Sequence, residues 1–261
     1  MPSPSPLAAA VPPPPRPRRR SRVPKLLVIA LLLVGMVVAT YFVLMDIDLP
    51  GPKQPEFPVP EINAEARVAV PFQAPPVDMA AVPAMARKME IPERVLMAYA
   101  RAEERQRAAT PRCGISWTLL AGIGRKESRH ARFGGATVEA DGKLSKPIIG
   151  IPLNGSQGVR AIKDTDGGEL DGDVTWDRAV GPMQFLPATW KRWAVRASGD
   201  GAPADPQNID DAAASAARYL CSGGRDLTSG RGWWAAVMAY NTSVDYAREV
   251  FSGQDAYSKA V

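Results

Sequence analysis

The stretch LLVIALLLVGMVVATYFVLM, residues 26–45, carries no charge over twenty residues. A helix of that length rises about 30 Å at ~1.5 Å per residue, the thickness of a bilayer's hydrocarbon core. Buried helices of globular domains are rarely apolar on every face for so long. Arg16, Arg18, Arg19, Arg20, Arg22 and Lys25 precede the run, and Asp46 and Asp48 follow it. This asymmetry places the N-terminus in the cytoplasm and everything after Met45 on the outer side of the plasma membrane. A cleaved signal peptide is the alternative. The flank ATYFVLMDIDLP offers no small-x-small cleavage site, so the run reads as an uncleaved single-pass anchor.

That topology changes how charge is read. Residues 1–45 hold six of the 32 basic residues and none of the 27 acidic ones, which leaves 26 basic and 27 acidic in the exported part. The chain's net charge of +5 therefore belongs to the tail, and the exported part has no basic footprint for nucleic acid. Prolines divide the N-terminal third: nine of the 26 lie in residues 1–24 and nine more between Pro50 and Pro83. The reading is a Pro/Arg-rich disordered tail over 1–25, the anchor over 26–45, and a Pro-spaced extracytoplasmic stalk over 46–84. One folded domain remains, residues 85–261. Cys113 and Cys221 are the only cysteines, both on the oxidising side, and read as a disulfide.

Within the domain the pattern is mainly α. IPERVLMAYARAEERQRAA places Pro92 in a first turn and puts Val95, Leu96, Ala98 and Tyr99 on one face. SWTLLAGIGRKESRHA begins with Ser116 as N-cap and stops before Phe133. PATWKRWAV, NIDDAAASAARYLCSGG (capped by Asn208), GWWAAVMAYN and SVDYAREVF continue the series, for five to seven helices. Residues 134–180 differ, being dense in Gly and Asp, with a hairpin at ADGK. They form a long, partly β excursion inside a helical domain, and loops of this length are usually functional.

Elimination narrows the chemistry. His130 is the only histidine, HExxH is absent, and neither phosphate-binding glycine motif occurs. His130 itself reads as a surface or loop residue. What remains is carboxylate chemistry. On its helix Glu127 lies i+4 from Ile123 and i+7 from Leu120, on the apolar stripe, while Arg125, Lys126 and Arg129 face elsewhere. Desolvation there raises its pKa and suits a general acid, although a glutamate at a helix end can equally be a solvated or paired charge. AVGPMQFLPATW is a turn carrying Met183 and Gln184, MAYN sets Tyr240 beside Asn241 at a helix end, and Trp176 precedes the turn. Aromatic, amide and raised-pKa carboxyl are the components of a carbohydrate cleft.

Together and in this order KES, GPMQFLPATW and AYN resemble the lytic murein transglycosylases of the goose-type-lysozyme-like (SLT) fold, nearest the membrane-bound lytic transglycosylase B branch. The resemblance covers about residues 90–250. It implies a lysozyme-like helical domain acting on peptidoglycan glycan strands without a cofactor. Glu127 would be the single acid/base and Ser128 the hydroxyl that follows it. Met183 and Gln184 would form the glycan-contacting turn, Tyr240 and Asn241 the opposite cleft wall, and Trp176 a further contact. The implied reaction cleaves the MurNAc-β-1,4-GlcNAc bond and closes a 1,6-anhydro ring. Ordinary glycosidases need two carboxylates, and substrate-assisted ones are an exception. A hydrolase using one of Asp164, Asp166, Asp171, Asp173 or Asp177 stays open, as does a catalytically weak wall-binding scaffold. Relatives in this branch can carry a calcium loop. RASGDGAPADPQNIDD aligns with it at Asp200 and Gly201 but puts Arg196 at the first ligand position and Gln207 at the twelfth, and DTDGGELDGD lacks the required glycine, so no metal is expected.

Overall fold

Capping residues fix most of the helix boundaries in the computed structural model, which describes Phe57, Val70, Pro71 and residues 73–156 and 158–261. Helix α1 spans Val82–Met89 and α2 Glu93–Ala109, the latter entered from Pro92. Helix α3, Trp117–Ser128, is capped by Ser116, whose hydroxyl accepts the Leu119 N–H at 3.3 Å. Helices α4 (Pro187–Trp193), α5 (Ile209–Leu220), α6 (Gly230–Tyr240) and α7 (Val244–Lys259) follow. Asn208, Ser229 and Ser243 cap α5, α6 and α7 by accepting backbone N–H groups. The last helix runs eight residues beyond the SVDYAREVF segment, because Tyr257 on its extension is buried and continues the apolar stripe.

Helix α3 is the centre of the described unit. Leu119, Leu120 and Ile123 are fully enclosed, and α7 crosses α3 at Gly122. A Cβ at Gly122 would meet the Val250 carbonyl at 2.8 Å, so the close crossing depends on that glycine. Helix α2 packs on α5, where Arg94 reaches the carboxylate of Asp210 and also donates to the Ala140 carbonyl at 3.0 Å. Val95, Leu96, Ala98 and Tyr99 face the core as their spacing requires. A disulfide joins Cys113 to Cys221 with Cα atoms 5.5 Å apart, tying the turn before α3 to the end of α5.

The packed unit begins upstream of Met85. Val82 opens α1, Ala74 is buried, and the Trp117 indole N–H donates to the Pro75 carbonyl at 3.1 Å. The end of the segment expected as a Pro-spaced stalk, around Ala74, Pro75 and Val82, therefore packs on the domain. The tail and the anchor lie outside the described residues. Among the described residues no helix is long and apolar enough to cross a membrane.

The excursion contains no extended strand among the described residues. It is held by isolated antiparallel bridges, including Val138 with Leu144, Asn154 with Ala161 and Lys163 with Trp176. The hairpin at ADGK is present as a tight turn in which Glu139 N–H donates to the Lys143 carbonyl at 2.8 Å. Gly and Asp are too dense elsewhere for a ladder to propagate. Aspartate side chains take the backbone N–H groups that a neighbouring strand would otherwise bond: Asp164 accepts from Asp166 at 3.0 Å and Gly167 at 2.9 Å.

Candidate active site

Glu127 is the penultimate residue of α3. Its half-buried side chain lies in a cleft of about 660 Å³. Three parts of the chain build the walls. Leu153, Val159, Arg160 and Ile162 come from the excursion, Gln184 and Leu186 from the turn before α4, and Tyr240 to Ser243 from the junction of α6 and α7. Burial pushes the Glu127 pKa up to about 7, against the opposing pull of the Tyr246 hydroxyl and of Lys126. Tyr246 donates to Glu127 Oε1 at 2.5 Å, and burial beside Glu127 holds its own phenol well above the ordinary value. Tyr246 therefore stays protonated and serves as a fixed donor to the carboxyl.

The neighbouring cations turn away as helical spacing requires. Lys126 pairs with Glu249 at 2.6 Å, the Arg125 guanidinium lies over the Phe57 ring, and Arg129 is exposed. The carboxyl is left to desolvation, opposed by one hydroxyl and the weaker pull of Lys126, an arrangement that can hold a proton at neutral pH and release it.

Gln184, Tyr240 and Asn241 do join Glu127 in the cleft. Gln184 takes a left-handed backbone conformation at φ 48° and donates its amide N–H to the Gly181 carbonyl at 2.9 Å, which fixes the amide's direction. The Tyr240 hydroxyl donates to the Met183 carbonyl at 2.7 Å and joins the two walls.

Three of the residues picked from the sequence are placed elsewhere. Ser128 is 1 % exposed, and its hydroxyl donates to the Pro182 carbonyl at 2.6 Å and accepts from Ala131 N–H at 2.8 Å. It ties the end of α3 to the Gln184 turn and has no face for a sugar. The Met183 side chain is fully enclosed in the core; only its backbone serves the cleft, through Tyr240. Trp176 lies on the excursion beneath the Lys163 ammonium, 3.8 Å from its ring centroid, outside the cleft lining. His130 is also not a surface residue: it is 1 % exposed. Tyr246 was the residue that sequence reasoning missed. Its signal was a position three residues after the cap Ser243, on the buried stripe of α7.

None of the five candidate aspartates lines the cleft with Glu127. Thr165 donates to Asp177, the Arg178 N–H donates to Asp171 at 2.6 Å, and the Arg178 guanidinium pairs with Asp173 at 2.9 Å. Asp164, Asp166 and Asp177 bring carboxylate oxygens within 4.8 Å of one another, a spacing a metal ion could use, and they accept the backbone N–H groups of Gly167, Leu170 and Thr165 in the turns of the excursion. The loop that aligns with a calcium site does not fit the ion. The Arg196 guanidinium pairs there with Asp200 at 2.8 Å and Asp211 at 3.0 Å, supplying the positive charge from the chain itself.

A mainly helical domain thus holds a raised-pKa carboxyl in a cleft lined by amides and a tyrosine, an arrangement suited to proton transfer. Residues 160–250 match the transglycosylase SLT domain family. The matched stretch takes in Gln184, Tyr240, Asn241 and Tyr246 and begins after Glu127. Among curated proteins no relative matches the chain. Similar solved structures include the Escherichia coli lytic transglycosylase Slt35 in complex with bulgecin A, at 16 % identity and TM-score 0.40, covering 69 % of this chain and 78 % of that one. The same enzyme in complex with calcium gives 17 % and 0.40, covering 69 % and 79 %. SltB3 from Pseudomonas aeruginosa in complex with NAG-anhNAM-pentapeptide gives 16 % and 0.39, covering 81 % of this chain and 73 % of that one.

Proposed function

We propose that the protein is a membrane-anchored peptidoglycan lytic transglycosylase of lysozyme-like architecture. It cleaves the β-1,4 bond between MurNAc and GlcNAc and leaves a 1,6-anhydro-MurNAc end. The observation that carries this reading is the solitary carboxyl. Glu127 sits in the cleft with its pKa up to about 7, and among the described residues no other carboxylate lines the same walls. A two-carboxylate glycosidase mechanism finds no second member among the described residues of the cleft.

In the proposed reaction Glu127 enters protonated and gives its proton to the glycosidic oxygen as the C1–O bond breaks. The carbonyl oxygen of the 2-acetamido group bonds to C1 and shares the developing positive charge. The Glu127 carboxylate then takes the proton from the C6 hydroxyl, and O6 displaces the acetamido oxygen from C1. Glu127 ends protonated, and no water is consumed. Tyr246 steadies the carboxylate between the two proton transfers, which is when a hydroxyl donor strengthens most. The amide of Gln184 and the side chain of Asn241 offer hydrogen bonds to acetamido and hydroxyl groups. Leu153, Val159 and Ile162 offer an apolar wall for the sugar faces. Residues 26–45 anchor the enzyme in the plasma membrane with the domain on the wall side.

The test is digestion of purified sacculi with the full-length protein and mass spectrometry of the products. Anhydro ends are expected. Reducing ends would mark a hydrolase, and binding without cleavage would mark a scaffold; either result rejects the reading.

A further inference from the structure

Immediately after the catalytic glutamate's helix the chain does something costly. Arg129, His130 and Ala131 all take left-handed backbone conformations, with φ of 54°, 57° and 64°. None is glycine, and each such residue costs about 1–2 kcal/mol over a right-handed one. Such a run persists only where surrounding groups over-determine it. Here those groups are visible. His130 N–H donates to the Gly124 carbonyl at 3.0 Å and Arg132 N–H to the Ser128 carbonyl at 2.9 Å, folding the turn back on α3.

The imidazole of His130 is the centre of the arrangement. Its Nε2 lies 2.8 Å from the Tyr257 hydroxyl and its Nδ1 3.3 Å from the Tyr99 hydroxyl. Burial, with Arg132 and Arg125 nearby, lowers its pKa to about 3, so the ring is neutral throughout the working range. A neutral imidazole has one donor and one acceptor nitrogen, and two hydroxyls satisfy both. Tyr99 comes from α2 and Tyr257 from α7, so the ring bolts the end of α3 to a helix on either side. Gly124 makes room for one of them: a Cβ there would stand 1.9 Å from the Tyr99 hydroxyl oxygen.

The clamp is closed from outside by Phe57. The Phe57 ring meets Tyr257 edge-on at 5.2 Å, and the Arg125 guanidinium covers it at 4.7 Å. With Pro75 on Trp117 at the start of the helix, Phe57 and Pro75 touch α3 near its two ends. Nothing in the proposed chemistry needs His130, Tyr99, Tyr257 or Phe57, since none lines the cleft.

We propose that Tyr99, His130 and Tyr257 form a positioning clamp for Glu127, and that Phe57 couples the segment between anchor and domain to that clamp. The inference rests on the reading of Glu127 as the acid/base. Displacement of Phe57 would loosen the turn behind the carboxyl and slow chemistry without altering the sugar-binding walls.

The experiment uses the full-length protein with two readouts: steady-state cleavage of peptidoglycan, and the titration of Glu127 followed by NMR of labelled glutamate carboxyls. His130→Ala is expected to lower kcat about ten- to a hundredfold at unchanged KM, as small misplacements of a reacting group do. It should also move the Glu127 midpoint down as water reaches the carboxyl. His130→Asn, which tolerates left-handed backbone and keeps a polar group, should recover much of the loss. Phe57→Ala should act in the same direction by about three- to tenfold. If His130→Ala does not fold, Tyr257→Phe removes the hydroxyl alone and carries the same expectations. Folded variants with wild-type kcat and wild-type titration, or a loss confined to KM, overturn the clamp. A wild-type protein that fails to cut peptidoglycan overturns the functional reading, and the carboxyl titration still decides the clamp.

Discussion

Glu103 and Glu127 are both pushed by burial up to about 7, and position alone separates their roles. Glu103 lies on α2, 1 % exposed, with Arg107 at 3.0 Å, and has no outlet to the cleft. Glu127→Gln should therefore reduce glycan cleavage by about three orders of magnitude, as loss of a general acid does, while Glu103→Gln keeps most activity in the same assay. The pH dependence follows from the direction of the shift. In the proposed reaction the acid form of Glu127 is needed first, so kcat/KM should fall above about pH 7. Tyr246 donates to the charged form and lowers the pKa. Tyr246→Phe should thus carry the alkaline limb upward by about one unit. Stability has a matching sign. A carboxyl whose pKa is raised on folding contributes fully below its unfolded value of 4.5, and that contribution is lost as pH rises through about 7. Melting curves of Glu127→Gln and wild type should coincide near pH 4, with the variant the more stable at pH 8.

At the scale of elements, Ser128 shows how helix α3 and the Gln184 turn act as one piece. Ser128→Ala would leave the buried Pro182 carbonyl and Ala131 N–H without their partner, at a cost of about 1–3 kcal/mol. The melting temperature should fall, and KM should rise as the turn carrying Gln184 loosens. An unchanged melting curve would contradict this role. The same residue marks a boundary of legibility. Caps and apolar stripes are local signals, so Ser116, Asn208 and the i, i+4, i+7 placement of Glu127 were readable and agree with the helices observed. The family motifs drew attention to KES and GPMQF, but adjacency in sequence does not tell a side chain that faces the cleft from one that faces the core. Ser128 and Met183 face inward, and Gln184 outward, because the turn at Gly181–Gln184 is held by contacts more than fifty residues away. The excursion was recognisable as irregular from its Gly and Asp. Its use as a cleft wall through Leu153, Val159 and Ile162 was not, since those residues carry no period. His130 was misread for a related reason: two tyrosines 31 residues before it and 127 after it bury it, and no local pattern carries that.

At the scale of the whole molecule, the Cys113–Cys221 bridge closes a loop with a sequence separation of 108. That loop contains α3, the excursion, α4 and α5, and so holds Glu127, the apolar wall and Gln184. Tyr240, on the opposite wall, and Tyr246, the donor to Glu127, lie outside it. The bridge therefore encloses one side of the cleft while remaining away from the cleft itself. Its contribution falls mainly on the unfolded chain, which without it regains loop freedom equivalent to about 4–5 kcal/mol in the chain-entropy account. For a domain of this size that corresponds to a drop in melting temperature of about 10 °C or more. The folded cleft keeps its other ties: the Tyr240 hydroxyl on Met183, Tyr246 on Glu127, and the Leu227 N–H on the Cys113 carbonyl at 2.7 Å beside the bridge. Reduction, or the paired substitution of Cys113 and Cys221 by alanine, should accordingly lower the melting temperature while kcat and KM at 25 °C stay within about twofold of the oxidised protein. A calorimetric scan with and without reductant, alongside the peptidoglycan assay at 25 °C, reads both quantities. Loss of activity well below the melting transition would show that the bridge shapes the cleft directly, and an unchanged transition would show that the loop it closes is already restrained in the unfolded chain.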